Sequence, residues 1–274
     1  MERIEKALQR SRSERELLRA HRSEQAPARP EASIAPRPQE PRLQTRQAAV
    51  DPACVARAGL LDAALESEAA HSFRMVRALL TRRMRPRGWT TLAVVSPTSV
   101  AGKSAIAANI AIALAAEQDQ TALLVDLQLS RPRVHELFGV DVTTGLGDCL
   151  ESRSSIPQAL IAPQEYPGLV MMPAHAAAAR TSELLGSPRA QSMFKEFKQR
   201  YVNRYVVYDV PPVLSSDDAI VFVPQADAVL VVVEDNRTRR EDLLRCLDLL
   251  QHVPVLGTVL GGDDRGNARQ RLEA

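Results

Sequence analysis

Lysine is nearly absent from this chain. Of 35 basic residues only Lys6, Lys103, Lys195 and Lys198 are lysines, so arginine supplies almost every positive charge. Cysteine is scarce as well. Cys54, Cys149 and Cys246 are widely spaced and odd in number, which fits neither a disulfide framework nor a metal site and points to a reducing cytosol. Long apolar runs are missing: residues 226–233, interrupted by Asp227, are far too short to span a bilayer. The opening Met1-Glu2-Arg3-Ile4 does not read as a signal peptide, so a soluble, cytoplasmic protein is expected. A net charge of only +2 argues against a general nucleic-acid-binding surface. Ser215-Ser216 lies in no Gly-x-Ser-x-Gly elbow, which argues against a serine hydrolase.

What is present is an alternation. Residues 1–22 form a charged segment with helical spacing of Ile4, Leu8 and Leu18, either solvated or docked to a partner. Residues 23–49 carry Pro27, Pro30, Pro36, Pro38 and Pro41 among arginines and glutamates, the composition of a disordered, extended linker. A helical lead-in over 50–88 follows, its apolar residues at helical spacing until Arg-Pro-Arg-Gly (85–88). From 89 to 262 short β-rich runs (91–95, 122–125, 169–172, 205–208, 229–233, 255–260) alternate with helical stretches (103–116, 133–138, 155–160, 187–200, 239–251), leaving a polar tail at 263–274. That pattern predicts a single α/β domain, mostly parallel sheet with helices on both faces.

Three strand ends carry chemistry, and in open α/β sheets ligands bind at the carboxyl ends of strands. The first is residues 90–95, running through Ser96, Pro97, Thr98, Ser99, Val100, Ala101 and Gly102 into the alanine-rich helix that Lys103 and Ser104 open. A strand, a short loop and Gly-Lys-Ser at a helix start form a phosphate cradle, in which backbone N–H groups and the helix terminus face a polyphosphate. Lys103 can reach the β- and γ-phosphates and the Ser104 hydroxyl can ligate Mg2+. An ammonium kept at this one loop, in a chain that otherwise prefers arginine, suits a compact point charge among phosphates. The pattern is incomplete, because the first glycine, expected with four residues between it and Gly-Lys, is replaced by Pro97. The second and third ends are Leu123-Leu124-Val125-Asp126 and Val206-Val207-Tyr208-Asp209. Each aspartate either caps the following turn or supplies hard oxygen ligation to a metal; beside Gly-Lys-Ser the metal reading is favoured. His135, on the helix after Asp126, reads as an exposed helical histidine, and the Arg239-Arg240 pair as either solvated or partner-binding.

The continuations carry a resemblance. Asp126 runs on as Leu127-Gln128-Leu129-Ser130-Arg131-Pro132, Asp209 as Val210-Pro211-Pro212, and Ala226-Asp227-Ala228 opens a late apolar strand. Together these resemble the bacterial tyrosine kinases of capsule and exopolysaccharide synthesis, a branch of the partition-ATPase-like P-loop proteins. The segments at 1–8, 59–61 and 73–80 are similar to the form linked to exosortase systems. The resemblance implies an ATP- and Mg2+-binding site built on Ser99 to Ala105, with Lys103, Asp126 and Asp209 as the working side chains and Ser104, Asp126 and Asp209 around the metal. Asp126 would orient or activate the acceptor hydroxyl. It also implies a membrane polysaccharide co-polymerase (chain-length regulator) as partner, a place at the inner face of the plasma membrane, and self-association through Arg74 and Arg77.

Four departures stand against the family pattern. Gln128 replaces the second aspartate of the middle motif, His71 replaces the glutamate of the self-association helix, Gly261 stands where an asparagine holds the base, and no tyrosine follows Tyr208. They keep two further readings open: a nucleotide-sensing regulatory subunit of a co-polymerase with little phosphotransfer, and a cargo-positioning partition-type ATPase. The early loop Pro97-Thr98-Ser99 lacks the second lysine of the partition type, which argues against the last.

Overall fold

The computed structural model describes residues 45–62, 67–175, 178–200 and 203–261. The charged helix expected at 1–22, residues 23–44 of the linker and the tail at 263–274 lie outside the described residues. The chain begins its described course with a short strand, β1 (Arg46–Ala48), followed by helices α1 (Pro52–Ala58) and α2 (Glu68–Met84). Then come β2 (Thr91–Val95), α3 (Lys103–Ala115), β3 (Thr121–Asp126), α4 (Val134–Phe138), α5 (Leu146–Leu150), α6 (Ile156–Ala159), β4 (Ile161–Pro163) and β5 (Leu169–Met172). The last third adds α7 (Thr181–Gly186), α8 (Pro188–Gln199), β6 (Arg204–Asp209), α9 (Asp217–Phe222), β7 (Ala228–Glu234), α10 (Arg240–Leu249) and β8 (Val255–Gly261).

The strands form one eight-stranded sheet in the order β1-β4-β5-β3-β6-β2-β7-β8, parallel except for the β4–β5 pair. Its central strands are Val- and Leu-rich without polar alternation because both faces are covered. Leu92, Val94, Leu124, Val207 and Leu230 face one core with α2 and α3. Their chain neighbours Ala93, Val95, Val125, Val206, Tyr208, Val229 and Val231 face the other, against α8, α9 and α10. In α3 every residue from Ala107 to Ala115 is buried, and its alanines let the helix axis lie close on the sheet. The opposite core is anchored by Phe194, Tyr208 and Phe222, whose rings pack at 4.6–5.7 Å between centroids. Such pairs contribute about 0.5–1.5 kcal/mol each beyond the area they bury.

The predicted parallel α/β domain is the observed one, but its lead-in differs in two respects. The end of the segment expected to be linker is a strand: Arg46 to Ala48 pair in parallel with Ile161 to Pro163. Three residues are too few to register as a strand by composition, and the pairing partner lies more than a hundred residues away. The helical lead-in is divided into two helices, α1 and α2. Asp51 caps α1 by accepting from Ala53 N at 2.8 Å, and Gly59 ends it at φ 64°, a left-handed conformation that glycine adopts without strain. The turn is then pinned to the domain by Asn109 of α3, whose amide accepts from Leu61 N at 2.8 Å and donates to Gly59 O at 2.9 Å.

Candidate nucleotide site

The strand order places β2 between β6 and β7, with β3 beyond β6, so the three chemistry-bearing strand ends meet at one edge. Val94 pairs with Asp209, and Asp209 with Asp126. The loop leaving β2 rises over this edge and drops into α3 through Gly102, whose φ of 77° is left-handed. Pro97 holds an ordinary negative φ, since Gly102 is the only residue of this loop with positive φ. A glycine is therefore not required conformationally at position 97. Proline still contributes there, because its carbonyl accepts from Leu214 N at 3.0 Å while Ser96 O accepts from Val213 N at 2.9 Å. The loop is thereby laced to the chain just past Asp209.

Lys103 and Asp209 form a buried ion pair, with side chains 5% and 0% exposed. The second oxygen of Asp209 accepts from Gln128 Nε2 at 2.9 Å, and the same nitrogen lies 2.8 Å from Ser104 Oγ. Four side chains from three parts of the chain thus form one connected network. Ser104 belongs to the first turn of α3, Gln128 to the loop after β3, and Asp209 to the tip of β6. Residues Ser99 to Ala101 stay outside this network and line the loop above it.

Asp126 is held by backbone amides. It is fully buried, accepting from Gln128 N at 2.9 Å through one oxygen, and from Arg133 N at 2.9 Å and Val134 N at 3.0 Å through the other. The carboxylate folds the 126–134 loop around itself and closes the start of α4, leaving little acceptor capacity for anything else. Burial first, and then the neighbouring Asp209, push its carboxyl up to about 7, against the pull of the three amides.

Sequence reasoning missed one participant. Glu234, at the tip of β7 and 5% exposed, accepts from Ala101 N of the loop at 3.3 Å and pairs with Arg237 at 3.2 Å. The signal was the one that exposed Asp126 and Asp209: an acid closing an apolar strand. His135 is half-buried rather than exposed, its Nδ1 shielded from solvent with no hydrogen-bond partner, and Arg239 and Arg240 are exposed.

Elsewhere the expected surfaces are partly committed. Arg77 donates to Ala113 O at 3.2 Å, in the last turn of α3, where a cation is favoured by the exposed carbonyls. Tyr166, Tyr205 and Tyr208 are buried at 6%, 5% and 1% exposure, and burial pushes the Tyr166 phenol up to about 12. Tyr201 lies outside the described residues. Cys149 and Cys246 are buried thiols, pushed up to about 11 and about 12 mainly by burial, and all three cysteines are free. A side chain at Gly261 would bring its Cβ within 3.0 Å of Ile106 Cδ1 and 3.3 Å of Val232 Cγ1, so the missing asparagine has tight space to occupy. No helix among the described residues is long and apolar enough to cross a membrane.

Residues 89–260 match the family model described as ParA, NUBPL iron-transfer P-loop NTPase. Among curated proteins, the chain is 32% identical over 200 residues to a putative tyrosine-protein kinase EpsB of Ralstonia nicotianae, covering 72% of this chain and 26% of that protein. It is 32% identical over 203 residues to the succinoglycan biosynthesis transport protein ExoP of Rhizobium meliloti, covering 71% of this chain and 25% of that protein. The match thus spans about a quarter of the length of these relatives. Among solved structures, the kinase domain of the Escherichia coli tyrosine kinase ETK superposes with a TM-score of 0.65 at 22% identity, over 74% of this chain and 79% of that one, which is a likeness of fold.

Proposed function

The chain belongs to the ParA family of P-loop NTPases, with relatives named as bacterial tyrosine kinases, and from that premise we propose that it binds ATP with magnesium and works as a tyrosine-kinase-like component of exopolysaccharide export. The observation that carries the reading is the convergence of Lys103, Ser104, Gln128 and Asp209 beneath the loop that leads from β2 into α3. The relative named for succinoglycan transport supports the polysaccharide setting, in which a membrane co-polymerase is the proposed partner, at the inner membrane face.

The chemistry follows from the resting contacts. Arriving β- and γ-phosphates offer Lys103 a stronger set of anions than one carboxylate, so the ammonium transfers from Asp209 to the phosphates. Asp209 would then be free, with the Ser104 hydroxyl, to hold a magnesium ion, which would supply charge neutralisation on the phosphoryl oxygens. The amides from Ser99 to Ala105 cradle the phosphates. Catalysis rests on positioning and charge stabilisation. Asp126 is a positioning residue that holds the 126–134 loop. Tyr166, Tyr205 and Tyr208 are buried and so are poorly placed as acceptors. Self-association would run through Arg74 and Arg77, the second of which donates to Ala113 O in α3.

A second reading, a nucleotide-sensing regulatory subunit with little phosphotransfer, is favoured by the full engagement of Asp126 in backbone hydrogen bonds. Incubation with Mg-ATP and a membrane co-polymerase, followed by phosphotyrosine detection, separates the two. Phosphotyrosine on the co-polymerase that disappears in Lys103→Met supports the kinase. Tight ATP binding by calorimetry without phosphotyrosine supports the regulator, and no binding at millimolar ATP sinks both.

A further inference from the structure

We propose that Gln128 keeps the divalent-cation position shut in the nucleotide-free protein, so that the cation enters only together with nucleotide phosphates. The inference rests on the reading of this edge as a nucleotide site. The Gln128 amide nitrogen sits between the two side chains that would hold a magnesium ion, 2.8 Å from Ser104 Oγ and 2.9 Å from Asp209 Oδ2. An NH2 group has two hydrogens, and both are used. Turning the amide over would set its carbonyl oxygen against the Asp209 carboxylate, so chemistry requires the donor side to face inward. The positive end of the amide dipole therefore replaces a cation at low cost.

The rest of the neighbourhood offers a lone cation little. Asp209 is engaged through both oxygens, one by Lys103 and one by Gln128. Asp126 is spent on three amides. Among the described residues no group of three or more His, Cys, Asp or Glu side chains is placed to hold a metal. A cation arriving alone would have to displace both an ammonium and an amide for one available carboxylate. Phosphates change this, because they draw Lys103 away and bring oxygens of their own, and magnesium needs only one or two carboxylates when phosphates are present. Gln128 is half-buried on a loop, so its side chain has room to withdraw.

The test measures Mn2+ alone binding to the nucleotide-free full chain by electron paramagnetic resonance, in wild type, Gln128→Ala and Gln128→Glu. Removal of the amide in Gln128→Ala should tighten Mn2+ severalfold. The near-isosteric Gln128→Glu should tighten it by roughly 10–100-fold, the range over which groups around a metal tune affinity. It should also lower the melting temperature in EDTA and recover it with Mn2+, which a merely structural role of Gln128 would not produce. Equal Mn2+ affinity in all three proteins overturns the inference. A parallel titration with a fluorescent ATP analogue in the presence of Mg2+ keeps the two claims apart. Analogue binding without a Mn2+ trend leaves the nucleotide site and removes the gate; a Mn2+ trend without analogue binding removes the nucleotide reading.

Discussion

Replacement of Lys103 by methionine should destabilise the fold as well as impair nucleotide binding. Lys103 and Asp209 are 5% and 0% exposed, and Asp209 pairs in register with a second buried carboxylate, Asp126. Removing the ammonium leaves two neighbouring carboxyls with amide donors but no counter-charge. Breaking a buried ion pair by deleting one partner costs about 3–5 kcal/mol, most of it from the uncompensated charge left behind. For a domain of this size that corresponds to roughly a 10 °C fall in melting temperature. The assay is urea unfolding in EDTA at pH 7.5, followed by circular dichroism. Lys103→Met combined with Asp209→Asn should lie within about 1–2 kcal/mol of wild type, because the orphaned charge is then gone. A Lys103→Met protein as stable as wild type would refute the reasoning, for it would mean that Asp209 is solvated or already neutral. The practical consequence is that loss of activity in this variant needs a stability control.

Two further predictions concern sites outside the network. Asp227 accepts from Thr90 N, Thr91 N and Thr91 Oγ1 and pairs with Lys198, and these contacts hold its carboxyl below the ordinary range despite burial. A carboxyl depressed by folding contributes stability above its unfolded pKa that is lost as pH falls through the folded one, so wild type should lose stability on acidification below about pH 4. Asp227→Asn should flatten that part of a stability–pH curve. Gly261→Asn, which supplies the family's missing residue, should cost about 1–3 kcal/mol by overpacking against Ile106. Ile106→Ala in the same chain should recover part of it, as read by denaturant midpoints.

Most of the architecture was legible because its signals are local and periodic. Apolar runs such as 205–208 and 229–233, and the helix from Lys103, coincide with elements of the fold. The short pieces were not: β1, β4, α5 and α7 are three to six residues long and owe their existence to neighbours rather than to propensity. Arg46–Ala48 looked like linker because a strand this short shows itself only through its partner at Ile161–Pro163.

The candidate site divides in the same way. The sequence alone determined which residue types were available: a phosphate-binding loop with one lysine, two acids at strand ends, and a glutamine where an acid was expected. Only the tertiary structure decided their duties. Proximity across strands put Lys103 on Asp209 and Gln128 between Ser104 and Asp209. Burial and three converging amides turned Asp126 into a loop anchor. The order of β6, β2 and β7 brought Glu234 to the phosphate loop. Spacing along a chain reports which groups exist, whereas hydrogen-bond partners and desolvation depend on distances that only the packed sheet sets.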